Sequence, residues 1–119
     1  MTFLPGDREV RLRCYRNALR NWNVAGYVRF KEVAQQWLLG ELGEYSLREI
    51  RRELHDYVDQ GGPIDEQVET RPEYVHFEFH YDLRVTIGGR RVYFETVLDC
   101  EDAGHPDGST ITVVSVHDV

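Results

Sequence analysis

The amino-acid sequence predicts a single α+β domain, with two or three N-terminal helices packed on one face of a three- to four-stranded antiparallel sheet. The chain has 119 residues, a length typical of one domain. Apolar residues recur at helical spacing in the first half, whereas after residue 73 they alternate with polar residues. We therefore assign residues 1–119 to one domain, with a helical part at 7–62 and a sheet part at 67–118.

Three amphipathic segments account for the helical half. The first follows Asp7, a residue type that caps helix N-termini, and the second is an apolar stripe over residues 27–38. Ser46 and Glu49 have the spacing of a capping box at the start of the third. The Gly-Gly-Pro sequence at 61–63 is expected to end that helix.

The sheet half begins with strict alternation over residues 74–87, where odd positions are apolar and even positions are polar. This pattern is typical of a strand that is covered on one face only. Gly88-Gly89 is expected to form a two-residue hairpin turn, since glycine tolerates positive φ. Further strands are predicted at 90–98, at 110–117 and, as a short edge strand, at 67–70, with an acidic loop at 99–109.

The hairpin brings polar residues together on one face. A two-residue turn at 88–89 places Asp82 directly opposite Glu95, although like charges in that position destabilise a sheet. If the last strand lies beside the return strand, it adds residues to the same face. The expected members of this face are His80, Asp82, Arg84, Tyr93, Glu95, Ser115 and His117.

Such a set of side chains suits metal-free phosphodiester cleavage. We expect Glu95 to act as the base, His117 or His80 as the acid, and Arg84 as the electrostatic clamp. Tyr93 would position the substrate, and the negative charge of Asp82 would make Glu95 a better proton acceptor. The candidate substrate-binding residues are Arg71, Arg91 and Ser115, and no cofactor or metal is expected.

Two other interpretations of this face stay open. It can be a solvated sheet face whose acidic charges are neutralised by Arg84 and Arg91. Alternatively, His80, Glu95 and His117 can hold zinc. His76 and His80 cannot share one ion on a strand, because four residues of strand span about 13 Å. The loop from Asp99 also departs from a calcium-binding EF-hand, since its twelfth position is not glutamate.

Composition and short motifs argue against several classes of function. The formal net charge is −7, which argues against tight non-specific binding to nucleic acid. The two cysteines form no CxxC motif, so a thiol redox site has no support. No apolar run is long enough for a membrane span, and the first residues lack the features of a signal peptide, so we expect a cytoplasmic protein.

The order of elements resembles the barnase–RelE group of small ribonucleases, and residues 45–117 are similar to the RelE- and MqsR-type toxins of bacterial toxin–antitoxin pairs. Four segments carry the resemblance: the helix that ends at Leu54–Val58, the break at Gly61–Pro63, the hairpin at Asp82–Leu98 and the closing segment Val113–His117. The resemblance implies messenger RNA cleavage, usually on the ribosome, and inhibition by a partner antitoxin protein. It leaves a homodimer open.

The chain departs from those toxins in its charge. They are commonly basic and often use lysine in the site, whereas Lys31 is the only lysine here. Where lysine often stands on the penultimate strand, this chain has Glu95, which is closer to the glutamate–arginine–histidine chemistry of barnase-like enzymes. A rival hypothesis is therefore a non-catalytic interaction module of a bacterial or phage assembly, which would bind through a long edge strand or the arginine-lined first helix. Small-molecule binding on the sheet face is a third alternative, without a specific motif.

Overall fold

The computed structural model describes residues 6–74, 77–100 and 108–119, apart from the side chain of Tyr74. Within them, three helices pack against a five-stranded mixed sheet. The helices are α1 (Arg8–Arg20), α2 (Glu32–Glu41) and α3 (Leu47–Asp59), and a short 3₁₀ turn spans Pro72–Tyr74. The strands are β1 (Val28–Phe30), β2 (Asp65–Val68), β3 (Phe79–Ile87), β4 (Arg90–Cys100) and β5 (Ser109–Asp118).

The sheet has the strand order β1-β5-β4-β3-β2. The chain from β2 to β5 forms an antiparallel meander, and β1 pairs with β5 in parallel. The α+β class is thus confirmed, but the prediction of three to four antiparallel strands is wrong in the number of strands and in the direction of β1.

The prediction of one helical stripe over residues 27–38 is also wrong at its start. Residues Val28–Phe30 form β1, and α2 begins only at Glu32. Val28 pairs with Ile111 of β5 and is completely buried. Pairing with a distant strand therefore decides the conformation here, against the local helical periodicity.

The helix ends follow the sequence signals. The Asp7 side chain accepts a hydrogen bond from the Glu9 amide, and Ser46 and Glu49 form the predicted capping box. At the end of α3, the amides of Gly61 and Gly62 donate to Val58 and Tyr57, and Gly61 has a φ of +90°. These two bonds form a Schellman motif, which needs the left-handed conformation at Gly61.

The core lies between the helices and one face of the sheet. Odd-numbered residues of β3, among them Tyr81 and Leu83, and even-numbered residues of β4 fill it. Tyr15 of α1 is fully buried there, and its hydroxyl lies 2.8 Å from the Thr96 hydroxyl, which donates to the Tyr81 carbonyl. The buried polar groups are paired in this part of the core, as burial requires.

A β-bulge in β5 controls which side chains reach the opposite face. Glu95 pairs with Ser115, whereas the next residue, Thr96, pairs with Val113, so Val114 is the extra residue. A bulge reverses the alternation of side chains along the strand. Consequently Ile111 and Val113 face the core, while Ser115 shares the open face with Glu95.

Candidate functional site

Alternate residues of β3, β4 and β5 project from the sheet face that the helices do not cover. The Gly88-Gly89 turn has positive φ at both residues, as a two-residue hairpin needs. It sets the predicted register, in which Asp82 lies directly opposite Glu95. Asp82 is 5% exposed and Glu95 is 7% exposed. Both carboxylates are therefore nearly removed from water.

Five residues around these carboxylates form a compact group, which we call the acid cluster: Glu69, Arg71, His80, Asp82 and Glu95. Within it, Nδ1 of His80 lies 3.0 Å from Oδ1 of Asp82. Each of His80, Asp82 and Glu95 offers one side-chain atom that can bind a metal, and these three atoms lie within 4.8 Å of one another. Among the described residues, these three are the group that could hold a metal ion. The group differs from the predicted zinc ligands in one residue, since it contains Asp82 and not His117.

Arg71 ties the acid cluster together. Its guanidinium donates to both carboxylate oxygens of Glu69, at 2.9 and 2.8 Å, and to Oε2 of Glu95 at 2.5 Å. Hydrogen bonds from the Arg71 side chain and backbone lower the pKa of Glu69 to about 2. Arg71, a predicted substrate-binding residue, thus lies at the site and pairs with two carboxylates of the protein itself.

Beside the acid cluster lies a more exposed group, the aromatic shelf, which consists of Arg84, Tyr93 and His117. The rings of Tyr93 and His117 stack with centroids 4.5 Å apart, and the guanidinium carbon of Arg84 lies 5.4 Å from the Tyr93 centroid. Burial and a hydrogen bond from the phenol to Asp82 raise the pKa of Tyr93, so the phenol stays protonated. Tyr93 therefore connects the shelf to the acid cluster.

The remaining predicted residues surround these two groups. Ser115 lies opposite Glu95 and is partly buried, whereas Arg91 is exposed and pairs with Thr86. Arg84 makes a 3.5 Å contact with Asp65. His117 is exposed and pairs with Tyr93, which places it diagonally from Glu95. Such diagonal neighbours are roughly 7–8 Å apart along the backbone of a sheet, so His117 and Glu95 lie on the same part of this face.

Glu69 is the site residue that sequence reasoning missed. It follows β2, and its amide donates to the Glu78 carbonyl, so its position depends on how the chain after β2 folds against β3. The sequence spacing of Glu69 and Arg71 alone contains no signal for this arrangement. Only the position of Arg71 against Glu95 shows that Glu69 belongs to the site.

Comparisons with known proteins add no identification. No protein-family model matches the chain, and no curated protein or solved structure is significantly similar to it. Within the described residues, none of the three helices combines the length and apolar character needed to cross a bilayer.

Proposed function

We propose that the protein is a metal-independent endoribonuclease, and that the acid cluster and the aromatic shelf form its active site. The observation that carries the proposal is the stack of His117 on Tyr93 beside the facing carboxylates of Asp82 and Glu95. It places a histidine, an arginine and a carboxylate around one patch of the open sheet face. These are the residue types that cleave RNA through its own 2′-hydroxyl.

Glu95 is the general base in this proposal. Arg71 occupies its Oε2 atom, while Oε1 accepts no hydrogen bond from the described residues. Oε1 takes the proton of the ribose 2′-hydroxyl, and the 2′-oxygen then forms a bond to phosphorus. The bond from phosphorus to the 5′-oxygen breaks, which leaves a 2′,3′-cyclic phosphate on one product.

His117 is the acid that protonates the departing 5′-oxygen. It is exposed and held by Tyr93, whereas His80 is already bound to Asp82 and is mostly buried. Arg84 places its charge near the phosphate oxygens, where negative charge develops in the transition state. Arg84 is the positive charge that the proposal assigns to the phosphate, since Arg71 already pairs with Glu69 and Glu95.

The test uses purified protein, a synthetic RNA and EDTA. We expect cleavage that yields 2′,3′-cyclic phosphate ends, and we expect Glu95→Gln and His117→Gln each to lower its rate by about 10²–10⁴-fold. Glu73→Gln and His55→Gln are the matched controls, since Glu73 is exposed before β3 and His55 lies on α3. Inert wild-type protein, or a fully active Glu95→Gln variant, would refute the proposal.

A toxin of a bacterial toxin–antitoxin pair is the biological setting that we propose for this activity, with cytoplasmic RNA as the substrate and an antitoxin protein as the inhibitor. Induced expression should then arrest growth, and Glu95→Gln should relieve the arrest. Normal growth together with efficient RNA cleavage in vitro would separate the enzyme from the toxin role.

The second candidate is a non-catalytic interaction module of a bacterial or phage assembly. The low exposure of Asp82 and Glu95 and the pairing of Glu95 with Arg71 favour it, because a buried ion pair is also a structural element. Under this candidate, Glu95→Gln changes stability without changing any activity, and the protein co-purifies with a stoichiometric partner.

A further inference from the structure

Strand β3 is longer than β2, the strand at the edge of the sheet beside it. β2 pairs only with residues 79–82 of β3, whereas β4 pairs with β3 as far as Ile87. Residues 83–87 therefore have β4 on one side and, in the part of the chain that the structure describes, no strand on the other. The sheet has an open edge here, five residues long.

The register shows which backbone groups point out of this edge. The Glu69 amide donates to the Glu78 carbonyl, so even-numbered residues of β3 direct their backbone groups toward β2. Beyond β2, the even-numbered residues are Arg84 and Thr86. The backbone N–H and C=O groups of both residues thus point away from β4. These backbone groups form no hydrogen bonds with described residues. This is the pattern that an added strand can pair with.

Space for such a strand lies beside the edge. A cleft of about 400 Å³ lies between Tyr57, Pro63 and the edge residues Arg84 and Thr86, and Arg91 lines the same cleft. An adjoining cleft of about 300 Å³ extends along the same edge toward α3. Helix α3 thus lies beneath the edge without closing it.

The charges around the edge differ between its two sides. Arg84 and Arg91 line the first cleft, on the open sheet face, whereas Glu53 and Asp56 of α3 line the adjoining cleft on the helix side. Arg84 contacts Asp65 only at 3.5 Å, and its side chain is 39% exposed. Acidic side chains on an added strand would therefore meet two arginines on the open face.

We propose that residues 83–87 of β3 bind an extended acidic segment of a partner protein as a sixth strand. Backbone hydrogen bonds to Arg84 and Thr86 hold the segment. Acidic side chains on alternate positions pair with Arg84 and Arg91, and uncharged side chains between them face Tyr57. The backbone groups of Arg84 and Thr86 take no part in the proposed RNA cleavage, whereas the Arg84 side chain is shared with the proposed active site.

A second copy of this chain is a poorer occupant by charge. Pairing two of these edges brings Arg84 and Arg91 of one copy against the same residues of the other, and Glu53 and Asp56 against their own copies. Like charges that face each other across strands destabilise the pairing. The charges along the edge therefore favour an acidic strand from a different protein.

The test uses the full chain and a capped eight-residue peptide in which glutamate alternates with threonine. We expect saturable binding in NMR titrations, shift changes confined to residues 83–87 and the lining of the cleft, and slower hydrogen exchange at the Arg84 and Thr86 amides. The same peptide with lysine in place of glutamate should bind at least about tenfold more weakly.

Variants of the edge residues distinguish this contact from non-specific peptide binding. Thr86→Pro removes an outward N–H that the β3–β4 ladder does not use, so binding should be lost, whereas Thr86→Ala should keep it. If Thr86→Pro does not fold, Arg84→Glu serves instead and should reverse the preference toward the lysine peptide. Unchanged binding in Thr86→Pro or Arg84→Glu, no binding at millimolar peptide, shift changes elsewhere, or a dimer that Thr86→Pro abolishes would each overturn the proposal.

Discussion

Asp82 and Glu95 face each other across β3 and β4, and both are almost completely buried although both are acidic. Each carboxylate has its own partners: Arg71 for Glu95, and His80 and Tyr93 for Asp82. These partners reduce the cost of the pairing but do not remove the repulsion. Arrangements that reduce stability occur preferentially at functional sites.

Replacing one member of this pair should stabilise the fold. We expect Asp82→Asn to raise the free energy of unfolding at pH 7 by about 1 kcal/mol, because the amide keeps hydrogen-bonding capacity and removes one of two facing charges. Urea denaturation measures the change, with the exposed Glu73→Gln as a control expected to have little effect. A loss of stability in Asp82→Asn would show that its hydrogen bonds outweigh the repulsion.

Acid should weaken the fold in part through Glu69. Arg71 holds the pKa of this carboxyl at about 2 in the folded state, below its ordinary value of 4.5. Its stabilising contribution is therefore present above pH 4.5 and is lost as the pH falls toward 2, by about 1–3 kcal/mol. Denaturation between pH 6 and pH 2 measures the slope, which Glu69→Gln should reduce. An unchanged slope in that variant would contradict the assignment.

Removing one charge of the ion pair between Arg11 and Glu66 should lower the free energy of unfolding more than removing both charges. Arg11 of α1 donates twice to Glu66 of β2, both side chains are buried, and the Tyr81 hydroxyl also donates to Glu66. We expect Arg11→Met to lose about 3 kcal/mol, since it leaves a buried carboxylate without its cation. The double variant Arg11→Met/Glu66→Gln should recover part of that loss in chemical denaturation. A double variant less stable than Arg11→Met would refute this.

Replacing each of two glycines by alanine should change the stability of the fold in opposite directions. Gly61 ends α3 with a φ of +90°, whereas Gly40 lies inside α2 with open space where its Cβ would be. Gly61→Ala should destabilise by about 1 kcal/mol, and Gly40→Ala should stabilise by about 0.5–1 kcal/mol. Thermal and urea denaturation of both variants provide the comparison. Changes of the same sign would indicate that something other than backbone conformation controls them.

Local signals in the sequence predicted the parts of the fold that depend on nearby residues. The capping box of Ser46 and the Gly88-Gly89 turn are short-range features, and the turn alone sets the register of the hairpin. β1 escapes local prediction because it has three residues, and its partner β5 lies far along the sequence. No local pattern predicts a parallel pairing between such distant segments.

The same distinction applies to the candidate site. The pairing of Asp82 with Glu95 and the closeness of His80 follow from strand alternation, so sequence reasoning reached them. The position of Arg71 against Glu95 depends on how the chain after β2 folds, and the placement of Ser115 depends on the bulge at Val114. Packing and pairing of whole segments decide both of these features.

β5 follows the other four strands in the chain, yet it occupies an interior position between β1 and β4. While a ribosome is still translating residues 109–118, β1 has no neighbour in the sheet, and the core residues of α1 and α2 remain uncovered on that side. The native sheet can therefore close only after this stretch has left the exit tunnel. Until then, the nascent chain exposes apolar residues that β5 covers in the folded protein.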